Sequence, residues 1–391
     1  MNSITIERTN GNIPKPLPNE DNISGFVAYI PTLPPAFAAS PVRLISTLDE
    51  AEALGVTADH ENWDIKVLHY QLSEIYRTNP AVKLYIGLFK KADKAPANFT
   101  EITKVQNFAG GKVRQMGVYA GDIEITDSAI FTTIQTIATK LEVEDQPLSI
   151  LFAGKVPDTT AAISTELAKA GRRNISVVLG MEGKGLPYEL YTDKDNTGKK
   201  SVCALGTVLG LLSRASVHQS IGWVGKFPTG IELPALGNGE PIRNLSKTTL
   251  DTLDAARYLF FVTYSGLSNS YLNDSHTLDE MQSDYAFIEN VRTMDKAVRG
   301  IRTNLLPELG GSLYIDPETG LLQSYTVEHL KTVANRALEE MEKAGELSGY
   351  YVDIDPAQNV LATSTVEFVI KQVGVGVMRK IRIKIGFYES I

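Results

Sequence analysis

Residues 82–89 read Val-Lys-Leu-Tyr-Ile-Gly-Leu-Phe, a nearly continuous apolar run. A short run of this kind is typical of a β-strand that is covered on both faces. The helix predicted just before it has its apolar residues on one stripe, at Ile65, Leu68, Leu72 and Ile75. A buried strand that follows an amphipathic helix indicates a layered α/β protein.

Outward from this strand, predicted strands and helices alternate along most of the chain. The predicted strands are 25–30, 42–45, 82–89, 113–120, 148–153, 175–179 and 258–264. The predicted helices are 47–54, 64–76, 102–108, 127–141, 159–170, 199–215, 249–255, 285–306 and 325–344. Residues 180–185 and 228–241 are predicted loops. This spacing predicts an α/β (α+β) fold in which mixed β-sheets are flanked by helices.

The composition is that of an ordinary globular protein. Of the 391 residues, 43% are hydrophobic and 21% are charged, and the length favours two or three domains. The formal net charge is −8. Because phosphate binding needs clustered lysine and arginine, we expect no nucleic-acid partner.

The single cysteine, Cys203, is predicted to be a small buried hydrophobe. No apolar run approaches the roughly 20 residues that span a bilayer, so we expect no direct membrane insertion. The first residues lack a charged region followed by an apolar core. We therefore expect a soluble protein that is made in the cytoplasm.

Three segments could be mistaken for active sites. Residues 151–155 lack the earlier glycine and the following Ser or Thr of a phosphate-binding loop. The glycines of 180–185 have the wrong order for a dinucleotide site, and Leu186-Pro187 is expected to prevent a helix N-terminus there. Asp353 and Asp355 are predicted to lie at a strand end and turn.

The histidines give no catalytic or metal-binding pattern either. No two of them have the i, i+4 spacing of ligands on one helix, and no Gly-x-Ser-x-Gly nucleophile elbow is present. The sequence therefore predicts no catalytic, cofactor-binding or metal-binding residues, and a protein that is not an enzyme. The histidines are His60, His69, His218, His276 and His329.

The last part of the chain has the clearest period-two pattern. Residues 366–373 alternate, Gly374 and Gly376 interrupt the pattern, and residues 380–387 then alternate strictly. This predicts a half-buried strand almost at the C-terminus. Its apolar face is Ile381, Ile383, Ile385 and Phe387, and its basic face is Lys380, Arg382 and Lys384.

The first part of the chain also predicts a strand. Residues 3–8 place Ile4 and Ile6 on one side and Thr5 and Glu7 on the other. The proline-rich stretch 9–22 then favours an extended tether and forbids a helix. An isolated strand on a tether must pair with something, because its backbone groups need partners.

Four segments stand out in this order along the chain: 42–55 (VRLISTLDEAEALG), 216–224 (SVHQSIGWV), 290–299 (NVRTMDKAVR) and 374–387 (GVGVMRKIRIKIGF). The first is predicted to be a strand followed by a helix, and the last is the closing alternating segment. Together they resemble the contractile-tail sheath proteins of myophages, tailocins and related injection systems.

The resemblance implies a division of the chain into arms, a body and an inner domain. Residues 1–22 would be an N-terminal linker arm, 23–284 an outer α/β body, and 285–391 an inner domain with a C-terminal arm from about residue 376. In sheaths, extended terminal strands are exchanged between subunits and extend the sheets of neighbours. The arm residues would be Ile4, Thr5, Ile6, Glu7, Lys380, Ile381, Arg382, Ile383, Lys384, Ile385 and Phe387. Pairing of both ends within one subunit is the alternative.

The resemblance also implies a structural function without a cofactor. Copies would polymerise helically as stacked rings around an inner tube protein and contract from a metastable extended state. Baseplate and tail terminator proteins are the other implied partners. Assembly would take place in the bacterial cytoplasm and end in a virion tail or contractile particle.

Two further groups of residues receive roles on this hypothesis. Gly374 and Gly376 are candidate hinges, because glycine tolerates a wide range of backbone conformations. An acidic helix face is a candidate contact with the tube or a neighbour, and a solvated face is its alternative. The acidic residues are Glu339, Glu340, Glu342 and Glu346.

Two other classes of function remain open from the sequence. One is a nucleotide-linked α/β enzyme with a C-terminal β extension. The other is a ring-forming baseplate or capsid-type component. The sequence does not select among phage, tailocin and secretion-like particles.

Overall fold

The computed structural model describes residues 20–91 and 98–387. The predicted N-terminal arm strand, with Ile4, Thr5, Ile6 and Glu7, lies outside the described residues. In chain order the strands are β1 (Ile23–Ile30), β2 (Val42–Ile45), β3 (Lys83–Lys90), β4 (Gln115–Glu124), β5 (Ser149–Lys155), β6 (Ile175–Val178), β7 (Gly180–Glu182), β8 (Pro234–Leu236), β9 (Tyr258–Leu259), β10 (Phe261–Thr263), β11 (Ser270–Leu272), β12 (Leu347–Asp353) and β13 (Val369–Gly374).

Helices alternate with these strands over most of the described chain. They are α1 (Pro35–Ala39), α2 (Leu48–Ala53), α3 (Trp63–Thr78), α4 (Glu101–Phe108), α5 (Ser128–Val143), α6 (Gly185–Thr192), α7 (Leu205–Arg214), α8 (Lys247–Ala255), α9 (Ile288–Leu305), α10 (Ser324–Lys343) and α11 (Val360–Thr363).

The main sheet has seven strands in the order β2-β3-β1-β4-β5-β6-β9. All neighbouring pairs are parallel except β2 with β3, which is antiparallel. In β3, Leu84, Ile86 and Leu88 are fully buried on one face, and Gly87 and Phe89 are buried on the other, as the apolar run at 82–89 predicts for a strand covered on both faces. The predicted α/β fold class, with mixed sheets flanked by helices, is confirmed.

Helices cover the two faces of this sheet. Gly117 of β4 lies against Leu205 and Leu209 of α7, whereas Gly87 of β3 lies against Val105 of α4. In the sheet register, Gly117 is paired with Phe26 of β1 and Gly87 with Val27. Because adjacent residues of a strand point to opposite faces, these two helix contacts are on opposite faces of the sheet. The largest apolar core lies between these layers.

A second, smaller unit follows the main sheet. Helix α9 packs on α10, and α10 packs against the antiparallel β12–β13 hairpin. The contact between the helices is close, since a Cβ at Gly300 would lie 2.8 Å from the Cβ of Ala337. This unit has small apolar clusters of its own, one of which contains Ala297, Leu338 and Val352.

The helix predicted over 159–170 is wrong, because this segment contains only a single 3-10 turn. Side chains from outside the segment bind carbonyl groups that a helix would use. Tyr258 Oη donates to the carbonyl of Ser164 (2.7 Å), and Arg172 Nη1 donates to that of Leu167 (2.6 Å). Tertiary hydrogen bonds therefore override the local helical pattern.

The helix predicted over 199–215 begins only at Leu205. The residues before it are held by contacts with the main sheet. Tyr119 Oη donates to the Ser201 carbonyl (2.7 Å), and Ser201 Oγ accepts from the backbone N–H of Val156 (2.9 Å). These bonds keep the chain non-helical up to the start of α7.

The predicted loops 180–185 and 228–241 contain strands β7 and β8, which pair in an antiparallel manner. Helix α6 then begins at Gly185, so the expectation that Leu186-Pro187 prevents a helix N-terminus is wrong. Pro187 lies in the first turn, where the backbone N–H has no intrahelical acceptor and its loss costs little.

Candidate assembly site at the chain ends

The C-terminal arm starts where the β12–β13 ladder ends. The pairing runs from Asp353 with Val369 to Leu347 with Gly374, and Ser348 Oγ donates to the Gly374 carbonyl (3.0 Å). Beyond Gly374, the described chain forms no further strand. The arm is therefore continuous with the edge of the small sheet but is not part of it.

The arm exposes its apolar face to solvent. The exposed fraction rises from 70% for Ile381 to 79% for Ile383 and 95% for Ile385, and Phe387 is fully exposed. The predicted half-buried strand at 380–387 is therefore not formed within the single chain. No edge strand in the described part of the molecule pairs with it, so neither face is covered.

Gly374 and Gly376 precede this exposed segment. A Cβ added at either glycine would meet no atom within 4 Å, and neither has a positive φ. The conformation described here would therefore accept alanine at both positions. Any need for glycine must come from another conformation of the arm, so the hinge role stays a prediction.

Arg379 attaches the arm to its own subunit. Its Nε donates to both carboxylate oxygens of Asp274 (3.0 and 2.9 Å), and its Nη2 donates to Glu289. The guanidinium carbon lies 3.4 Å from the centroid of the Phe287 ring. Ser275 Oγ donates to the same Glu289 carboxylate (2.6 Å). The arm is thus anchored between Gly376 and the exposed segment 380–387.

Sequence reasoning missed this anchor. Asp274 and Glu289 are 105 and 90 residues from Arg379, and no local period relates them. The one available signal is that Arg379 lies just before the strict alternation of 380–387, outside its pattern. The sequence does not predict which carboxylates such an arginine binds.

The first described residues, Glu20 and Asp21, are anchored as well. Lys296 Nζ and Arg299 Nη2 donate to the two carboxylate oxygens of Asp21 (2.6 and 2.9 Å). Burial raises the pKa of Asp21, but the charges of Lys296, Arg299 and Arg292 outweigh it and hold the pKa below its usual value. The neighbouring Glu20 forms an ion pair with Arg114.

The acidic face of α10 is only partly as predicted. Glu339, Glu340 and Glu342 are exposed, and Glu339 pairs with Lys343 one turn later. Glu346 lies beyond the end of the helix, is buried, and accepts from Lys296 Nζ (2.8 Å). Its assignment to an exposed contact face is therefore wrong, because it is an internal ion-pair partner.

A polar cavity of about 580 Å³ lies at the carboxyl ends of β1, β3, β4 and β5. In parallel α/β enzymes this is the edge where cofactors bind. Here Lys91 Nζ lies between Asp64 (3.2 Å) and Asp122 (3.1 Å), and Lys200 Nζ also binds Asp64 (3.1 Å). The lysines at this edge are thus already paired with carboxylates.

The other segments that the sequence offered for chemistry lie in a strand, in an ion pair or in the core. Residues 151–155 belong to β5, and Asp353, at the end of β12, forms an ion pair with Lys331 (2.9 Å). Cys203 is buried, as predicted, and burial raises the pKa of its thiol to about 12.

Within residues 20–91 and 98–387, no group of three or more His, Cys, Asp or Glu is placed to hold a metal ion. No helix in these ranges is long and apolar enough to cross a membrane.

Part of this chain is similar in sequence to a curated phage protein. The chain is 25% identical over 218 residues to the "Putative tail sheath protein" of Haemophilus phage HP1 (strain HP1c1). The match covers 50% of this chain and 55% of the relative. The chain thus spans about half the length of that relative.

Solved structures share the fold over the whole chain. A chain of the anti-feeding prophage (AFP) baseplate, determined by cryo-EM with 6-fold symmetry, has a TM-score of 0.62 at 12% identity. The match covers 100% of this chain and 99% of that one. A chain of the contracted PVC sheath complex, an extracellular contractile injection system, has a TM-score of 0.61 at 14% identity, with 99% of both chains covered.

Two family models together match most of the sequence. The model described as "DUF2586, N-terminal domain" matches residues 1–276, and "DUF2586, C-terminal domain" matches residues 284–391. The resemblance to contractile tail sheath proteins is confirmed by the named relative and by the shared fold. Since the matched segments cover far more than half of its length, the chain belongs to the DUF2586 family.

Proposed function

We propose that this protein is the structural sheath subunit of a contractile tail or injection system. The observation that carries the proposal is the C-terminal arm, whose apolar side chains from Ile381 to Phe387 lie in solvent outside their own core. A chain with this fold is part of the contracted PVC sheath complex. A polymer in which the arm finds its cover on a neighbour accounts for both facts.

The arm is proposed to add a strand to the β12–β13 sheet of an adjacent copy. In the described residues this sheet has no third strand, and two-stranded sheets are marginal by themselves. About four to six backbone hydrogen bonds, each worth about 0.5–1.5 kcal/mol net, would form on addition. Burial of each apolar side chain of the arm would contribute about 1.5–3 kcal/mol more. The N-terminal arm would be exchanged in the same manner.

The parts of the chain would then have separate tasks. Residues 23–284 would project outward as the body, and 285–391 would form the inner layer around the tube. Subunits would assemble as stacked rings in an extended, metastable state and contract by rotation of the bodies, while Gly374 and Gly376 act as hinges. Exposed Glu339, Glu340 and Glu342 remain candidates for a contact with the tube or a neighbour.

The proposed role is not enzymatic and needs no nucleotide. At the edge where a nucleotide-linked α/β enzyme would bind its cofactor, Lys91 and Lys200 are neutralised by Asp64 and Asp122. Phosphate groups would have to displace these ion pairs. The proposed partners are other copies, an inner tube protein, and baseplate and tail terminator proteins. The proposed location is the bacterial cytoplasm during assembly and the contractile particle afterwards.

The test is an arm variant with two charges on the apolar face, Ile383→Asp with Ile385→Asp. Both side chains are exposed in the single chain, so we expect an unchanged unfolding transition and the loss of ridged tubes in negative-stain microscopy. Val143→Asp, at an equally exposed apolar residue of the body, is the matched control and should still give tubes. Tubes formed normally by the arm variant would contradict the proposal, and closed rings from the unmodified protein would favour a ring-forming component.

A further inference from the structure

One face of helix α9 carries the contacts that hold both chain ends. Glu289, Arg292, Lys296 and Arg299 lie at successive positions i, i+3, i+7 and i+10. With 3.6 residues per turn, this spacing places all four side chains on one stripe. The stripe is about 15 Å long at a rise of 1.5 Å per residue.

At the N-terminal end of the stripe, Glu289 holds the C-terminal arm. Its side chain is 1% exposed and accepts from both Arg379 and Ser275. Burial raises the pKa of Glu289, and the charge of Arg379 opposes that effect. If Arg379 moved away, α9 would retain a buried carboxylate without its cation, which is strongly unfavourable. The Arg379–Glu289 ion pair therefore holds the start of the arm on α9, although the arm forms no strand and is exposed.

Further along the stripe, the three cations hold the base of the N-terminal arm. Lys296 and Arg299 donate to the Asp21 carboxylate, and Arg292 Nη2 donates to the backbone carbonyls of Asp21 (3.4 Å) and Ala215 (3.2 Å). Arg292 is thus bound to Asp21 and to the chain that follows α7. The described chain begins one residue before Asp21, so this anchor lies where the N-terminal arm joins the body.

We propose that α9 is the shared anchor of both arms, with Arg379 and Asp21 as the positioning residues that connect them to it. This inference rests on the proposed sheath function. Gly374 ends the β13 ladder and Gly376 follows it, so both precede Arg379, and the free part of the arm starts at residue 380 while the Arg379 contacts are made. The proposed hinge role of the two glycines then requires release of the Arg379 contacts. Both arms are thus held by side chains of the same helix.

The first test measures the position of the arm in the dilute, unassembled protein. Nitroxide labels on Met378→Cys and Val143→Cys report the distance between arm and body, and the native Cys203 is buried and stays unlabelled. The variant is Arg379→Ala combined with Glu289→Gln, so that no buried charge is left unpaired. We expect the distance distribution from pulsed EPR to become at least about twofold wider as the arm is freed.

Two further variants keep this test falsifiable. Lys380→Ala removes a neighbouring cation and should leave the distribution unchanged. Arg379→Lys keeps the charge but not the two-pronged geometry, so it should give an intermediate width. An unchanged width in the Arg379→Ala, Glu289→Gln protein would overturn the proposal for the C-terminal arm, whether or not the protein forms tubes.

The second test measures whether α9 also holds the N-terminal arm. Together the two tests distinguish a failure of the anchoring proposal from a failure of the proposed sheath function. A label at position 19 paired with Val143→Cys should show a wider distribution when Asp21→Asn weakens the hold of Lys296 and Arg299. An unchanged width would overturn the claim that α9 anchors both arms. If the anchors behave as expected but the unmodified protein never forms tubes, the sheath function fails and the anchoring stands.

Discussion

At the residue scale, the joint between α9 and the body is built from charged side chains in a nearly closed space. A small cavity there is lined by Asp21, Arg114, Arg292, Asp295 and Arg299, among others. Burial lowers the pKa of Arg292 to about 10, and the nearby Asp21 and Glu289 oppose that effect. Every charge in this joint depends on its neighbours, because little solvent is present to replace them.

Asp295 makes the joint sensitive to pH. Burial and, to a smaller extent, the charge of Glu142 raise its pKa to about 7, against the opposing charges of Arg299, Arg173 and Arg114. The unfolded chain loses this proton near the ordinary value of 3.8, so the contribution to stability is present below about pH 4 and is lost as the pH rises through 7.

We therefore expect Asp295→Asn to raise the free energy of unfolding by about 1–2 kcal/mol at pH 8, after allowance for solvent screening, and by less at pH 5. Urea unfolding at both pH values measures the difference. Asp251→Asn, at an exposed carboxylate on α8, is the control for the loss of a surface charge. A gain from Asp295→Asn that is equal at pH 5 and pH 8 would contradict the pKa assignment.

At the element scale, the contact of α3 with α7 depends on two glycines one turn apart. A Cβ at Gly206 would lie 2.1 Å from the carbonyl oxygen of Gln71, and one at Gly210 would lie 1.8 Å from Thr78 Oγ1. The backbones approach so closely that no larger residue fits. Gly206 N also donates to Gln71 Oε1 (2.7 Å), which fixes the start of α7 on α3.

Gly206→Ala is expected to lower the free energy of unfolding by about 1–3 kcal/mol, because the clash is with backbone and cannot be relieved by a side-chain rotation. Chemical denaturation of the unassembled protein measures this loss. Gly349→Ala, where an added Cβ meets nothing within 4 Å, is the matched control and should change stability little. Equal effects of the two substitutions would show that α3 and α7 can separate without cost.

The elements that the sequence predicts best are those with continuous apolar runs or clear caps. Strand β3 and the cap of α2, where Thr47 Oγ1 accepts from Glu50 N (3.2 Å), follow from local pattern alone. The helix predicted over 159–170 is wrong because Tyr258, 94 residues from Ser164, and Arg172, just beyond the segment, bind its carbonyls. Local patterns carry no information about such partners.

At the scale of the whole molecule, the sequence predicts the exposed arm from its alternation but not the way in which it is held. The alternation at 380–387 predicts an apolar face that must be buried against another surface. It does not predict that Arg379 binds Asp274 and Glu289, because that depends on how the main sheet places the start of α9. The exchange of arms between copies stays a prediction.

The hinge hypothesis gives a prediction for the assembled protein. Gly374→Ala combined with Gly376→Ala should leave the unassembled protein as stable or more stable, by about 0.4–1 kcal/mol, because alanine fits the described conformation. If the arm must adopt other conformations in the polymer, the same variant should form fewer tubes or tubes that do not contract. Unfolding midpoints and microscopy of the tubes measure the two effects, and normal assembly and contraction would show that neither glycine acts as a hinge.

The basic side chains of the arm have a consequence for the protein before it assembles. Free arms with exposed isoleucines could stack on one another into fibrils, as apolar edge segments do. Lys380, Arg382 and Lys384 would then face their own copies in each layer, and like charges at that spacing repel. This repulsion disfavours aggregation of newly made chains through their arms. An arm that binds the sheet edge of a folded neighbour does not meet this repulsion, so that pairing is preferred.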